Sequence, residues 1–140
     1  DDRIYNRYMI ENIYNYSKIY KNQAIGTIGR INYQQKIFGY NCNKPEKVNM
    51  LEGYGGVGYR KIFFEIDEIN TENLSKEIIF NDDIYLSYLL KNKNIELIMI
   101  PTEIKEPITY TLFTKNTNPL WKQNENNGLF NKCLKTLKLE

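Results

Sequence analysis

The chain has 140 residues, 41% apolar and 26% charged, which suits one folded domain with its own core and no need of disulfides or a structural metal. Lys and Arg total 19 against 17 Asp and Glu, and a net charge of +2 excludes binding driven by bulk attraction to nucleic acid or an anionic membrane. The absence of His excludes Ser-His-Asp and Cys-His catalysis and His-ligated metals, and two cysteines, Cys42 and Cys133, are too few for a disulfide framework.

Ile, Asn, Lys and Tyr dominate while Ala occurs once, a skew that reads as the codon bias of an AT-rich genome. Abundant Asn and Tyr therefore need not signal binding or disorder. The chain opens on Asp1-Asp2-Arg3, which reads as a fragment or a processed chain. From Ile4 to Tyr20, apolar residues recur in steps of three and four and predict a helix. Ala24 to Tyr33, with Gly26 and Gly29, predicts a short kinked strand. Gln34 to Pro45 is polar and predicts turns, with Asn43-Lys44-Pro45 as a breaker. Val48 to Leu51 predicts a strand entering the glycine cluster Gly53 to Gly58, and Arg60 to Ile69 resumes a helical pattern.

Asn81-Asp82-Asp83 directly precedes the apolar run from Ile84 to Leu90 and predicts a capped helix with acids in its first turn. Ile95 to Ile100, closed by Pro101, predicts a buried strand. Glu103 to Gln123, which contains Pro107 and Pro119, predicts a long loop. Gly128 to Leu139 predicts an amphipathic helix with Leu129, Phe130, Cys133, Leu134 and Leu137 on one side. No apolar stretch approaches the roughly 18–20 residues of a membrane span, and no basic-apolar leader opens the chain. The order predicts a single α/β domain, or the greater part of one.

Three features could carry chemistry. The pair Asp1-Asp2 suits a hard divalent cation, and equally suits a solvated cap on the first helix. Glu52-Gly53-Tyr54-Gly55-Gly56-Val57-Gly58-Tyr59 permits close backbone approach to a ligand but matches neither GxGxxG nor GxxxxGK[ST]; a tight turn between strands explains it as well. Carboxylates at the start of the Ile84 helix accept backbone N–H bonds, which would keep them ionised and oriented as a general base requires. Plain helix capping explains the same residues.

Taken in order, these stretches resemble the second half of a GT-A-fold glycosyltransferase of the family 2 type. The resemblance lies in Asp1-Asp2-Arg3-Ile4-Tyr5, in Gly53-Tyr54-Gly55-Gly56-Val57-Gly58-Tyr59 and in Asn81-Asp82-Asp83-Ile84-Tyr85-Leu86-Ser87, followed by the strand from Ile95. It implies a partial GT-A-like mixed sheet flanked by helices, with residues 1–140 as the acceptor-side half and the nucleotide-binding half preceding Asp1. It further implies transfer of a sugar from a nucleotide-diphosphate sugar to a glycan or other hydroxyl acceptor, with inversion. Asp82 or Asp83 would then be the catalytic base, and Asp1 and Asp2 would hold Mn2+ or Mg2+. Gly53, Tyr54, Gly55 and Gly56 would shape the sugar pocket. Tyr54 and Trp121 are candidates for stacking on a sugar ring.

The rival reading is a non-catalytic glycan- or protein-binding or assembly domain built on the same turn and helix. Scattered basic residues argue against a nucleic-acid partner. Two lone cysteines lean towards a reducing, cytoplasmic setting.

Overall fold

The computed structural model describes residues 3–103, 108–109 and 120–139. In chain order the regular elements are β1 (Arg3–Ile4), α1 (Met9–Ile19), β2 (Ala24–Gly26), β3 (Ile28–Ile31), β4 (Gln35–Phe38), β5 (Glu46–Lys47) and β6 (Met50–Leu51). They continue with β7 (Val57–Gly58), α2 (Lys76–Ile79), α3 (Asp82–Asn92), β8 (Leu97–Met99), β9 (Ile108–Thr109), α4 (Leu120–Asn126) and α5 (Leu129–Thr136). The chain is mixed α/β.

One β-branched stretch serves two sheets. β2 pairs in parallel with β8, Ile25 opposite Ile98, within a four-stranded sheet of order β5-β8-β2-β7. β3 runs on into an antiparallel three-stranded sheet of order β4-β3-β6. The predicted kink falls at buried Thr27, whose hydroxyl donates to the Gly55 carbonyl at 2.5 Å. Its backbone joins both neighbours, because Thr27 N–H donates to Gly56 and its carbonyl accepts from Gly39. β1 and β9 form a separate antiparallel pair.

Helices cover these sheets through apolar stripes. α1 has no fully buried residue and lays Ile13 and Tyr16 against Ile25, Ile98 and Ile100. α3 buries Ile84, Ser87 and Leu90 along one face. Its polar member is matched, since Ser87 Oγ accepts from the Leu51 N–H at 3.3 Å. Ile84 packs with Met50, Ile78, Cys133 and Leu134, and Leu90 packs with Ala24, Leu51, Phe63 and Leu97. Among the described residues no helix is long and apolar enough to cross a membrane.

Several expected elements take another form. The first helix starts at Met9, because Asn6 Oδ1 accepts from the Tyr8 N–H at 2.9 Å in a local turn that competes with helix. Gln34–Pro45 is not all turn: β4 pairs with β3 in register from Ile28↔Phe38 to Ile31↔Gln35. Its polar Lys36 pairs with the buried Glu52 carboxylate. Arg60–Ile69 is two short 3-10 turns, Lys61–Phe63 and Ile66–Glu68, in place of a helix. A capping box between Glu65 and Glu68 restarts the chain there, leaving Ile62 and Ile66 in solvent. The expected Glu103–Gln123 loop lies largely outside the described residues, and α4 already begins at Leu120, directly after Pro119.

Gly39 closes β4 against the end of the parallel strand. An added Cβ would sit 2.2 Å from the Ile100 carbonyl oxygen and 3.0 Å from that of Thr27, and backbone cannot retreat as a side-chain tip can. Gly39→Ala is expected to destabilise the protein by about 2–3 kcal/mol, read from the midpoint of urea unfolding at unchanged slope.

Candidate active site

A cleft of about 420 Å³ opens where the glycine turn, the β3–β4 hairpin, the start of α3 and the two C-terminal helices meet. Glu52, immediately before the turn, is buried and bridges two cations: Oε1 accepts from Arg30 Nε at 2.5 Å and Oε2 from Lys36 Nζ at 2.6 Å. β3 carries Arg30 and β4 carries Lys36, so the hairpin register sets the spacing of the charges. Lys36 also donates to the Tyr54 hydroxyl at 2.7 Å. The side chains of Arg30 and Lys36 are 26% and 31% exposed against 5% for Glu52, so the cluster turns its cationic side to the cleft.

Opposite stand the acids of α3. Asp83 Oδ1 accepts from the Gly53 N–H at 2.9 Å, tying the helix start to the glycine turn. Gly53 has no Cβ, and one added there would lie 2.8 Å from the same oxygen. Burial pushes the Asp83 carboxyl up to about 7. The charges of Asp82 and Glu52 add to that shift, whereas the Gly53 N–H and Lys36 oppose it. Backbone bonding at the helix start was expected to keep this acid ionised; here desolvation outweighs it. Asp82 is exposed, and its Oδ1 accepts from the Asp83 N–H at 3.0 Å. Tyr59 lies close enough that both carboxylates, after burial itself, raise its phenol above the ordinary value.

Asn81 is a cap by residue type but not by geometry. It makes no side-chain cap bond. Its Nδ2 donates to the Glu77 carbonyl at 2.8 Å, and its amide exchanges hydrogen bonds with that of Asn124 on α4 at 2.6 and 3.2 Å. These three bonds join α2, the start of α3 and α4 along one wall of the cleft.

The expected site residues divide accordingly. Asp82, Asp83 and Tyr54 line one cleft, with Gly53 bonded into it. Gly55 and Gly56 are buried on the other side of the turn. Gly55 faces Ile28, where a Cβ would lie 2.5 Å away, and Gly56, at φ +92°, faces Met9 and Ile13 of α1. Trp121 belongs to α4, whose Asn124 reaches the cleft, but its side chain is outside the described residues, as are Asp1 and Asp2. Among the described residues no three His, Cys, Asp or Glu gather to hold a metal ion.

Sequence reasoning missed Arg30, Lys36 and Glu52 as a unit. The available signal was Glu52 itself, a charge set between the buried Leu51 and the glycine run. No protein-family model matches the chain and no curated protein matches it in sequence, so its chemistry rests on these residues alone.

Proposed function

We propose that this chain is the acceptor-side half of a GT-A-fold glycosyltransferase, transferring a sugar from a nucleotide-diphosphate sugar to a hydroxyl acceptor with inversion. The observation that supports this reading is the Asp83 carboxyl. It is held by the Gly53 N–H at the wall of a polar cleft and titrates near 7, where a base both exists as carboxylate and accepts a proton readily. Asp83 takes the acceptor's proton as its oxygen bonds to the anomeric carbon. The bond from that carbon to the diphosphate oxygen breaks, and the diphosphate leaves with the electron pair. Lys36 and Tyr54 offer hydrogen-bond donors, and the Tyr54 ring a flat face, to a sugar in the cleft. Asp1 and Asp2 would hold Mn2+ or Mg2+, whose charge would offset that of the diphosphate.

With Asp83 as base, kcat/KM for sugar transfer, measured in the chain joined to its nucleotide-binding half, rises about tenfold per pH unit from pH 5 and levels off above about 7. A profile flat from pH 5 to 9 removes Asp83 from the role. Glycan binding without any turnover would favour the binding-domain reading.

A further inference from the structure

We infer that the acceptor is amphiphilic, a sugar hydroxyl carried on an aliphatic chain, and that the chain lies in a second groove meeting the cleft at Asp82. The inference rests on the reading of Asp82 and Asp83 as the acceptor side. Asp82 lines both the polar cleft and an adjoining groove of about 510 Å³, a volume within the range of small-molecule sites. An acceptor with its hydroxyl at Asp82 would thus stand at the border of the cleft and the groove.

The groove is mostly apolar, with Phe64, Leu74, Ile78, Ile79 and Leu86 among its walls, and Arg60 and Lys61 also line it. Ile69 and Ile79 stand 47% and 45% exposed, apolar surface that a hydrocarbon chain would remove from water. Its far wall is tied down. Tyr85 on α3 donates to the Glu68 carbonyl at 2.9 Å, and Lys93 donates to the Phe63 carbonyl at 2.9 Å, strapping residues 63–68 onto the helix. A groove held in this way needs little ordering when it fills. At the inner end Asp82 offers carboxyl oxygens that can accept from a sugar hydroxyl, while Arg60 and Lys61 line the same groove.

The test is equilibrium binding of butyl and octyl β-glucoside to this chain, each below its micelle concentration and without donor. A fully covered methylene tightens binding about fourfold, so octyl glucoside is expected to bind at least tenfold tighter than butyl glucoside once two of its additional methylenes are covered. In Ile69→Ser/Ile79→Ser, whose half-exposed side chains can change without unfolding the chain, the two glucosides should bind within about twofold of each other. Equal binding of the two glucosides by the unaltered chain overturns the inference, as does a length effect that survives the double substitution or sedimentation as a dimer that closes the groove. Because no turnover is read, a retained length effect with a catalytically silent Asp83 would sink the base assignment and leave the groove standing.

Discussion

Replacing Asp83 with Asn is expected to lower sugar-transfer turnover by at least about 100-fold while making the protein relatively more stable above neutral pH. The loss of rate follows from removing the proton acceptor, since general bases contribute about 10²–10⁴. The fold survives because the Asn carbonyl can still accept from the Gly53 N–H. The gain in stability follows from the direction of the shift. An unfolded Asp ionises near 4, whereas Asp83 in the fold ionises near 7 because burial disfavours its charge. Its contribution to stability is therefore complete below about pH 4 and is lost as pH rises through about 7.

Asn does not ionise, so the variant escapes that loss. Its stability relative to the unaltered protein should improve by about 1–2 kcal/mol between pH 4 and 8, less than the full shift implies because cleft water screens the carboxylate. Melting curves at both pH values read this. A variant equally destabilised at both would attribute the lost turnover to unfolding, and the base role would fall.

The second large effect belongs to Glu52. Glu52→Ala is expected to cost about 3 kcal/mol in urea unfolding, because Arg30 and Lys36 lose a buried common partner and face each other uncompensated. It should also move the pH profile. The Glu52 charge raises the Asp83 carboxyl and Lys36 lowers it, so removing the former shifts the activity midpoint to lower pH. Glu52→Gln keeps the shape and the same direction of shift with a smaller loss of stability. A midpoint that stays put in both variants would show that Glu52 does not act on Asp83.

What the sequence made legible was local. Asn81-Asp82-Asp83 before an apolar run marked the start of α3, and the Ile95–Ile100 run marked the parallel strand, because both signals lie within a few residues. The glycine run marked a turn correctly, but not which glycine meets the cleft. That depends on Ile28 and α1, which are distant in sequence. Arg60–Ile69 shows helical spacing without burial to reward it, and the Glu65–Glu68 box decides the local path. Lys36 looked like a loop residue because its partner Glu52 lies 16 positions on and meets it only once the hairpin has formed. Charge pairing across strands is invisible to a pattern read along one of them.

Thr27 bears on all of this from outside the cleft. It is the sole residue between β2 and β3, and it touches both the glycine turn and the end of β4. Any hinge-like swing between the two sheets would have to tear those bonds at once. The hairpin that carries the cations and the turn that positions the acid are thus yoked to a common axle, a threonine with no part in the cleft's chemistry.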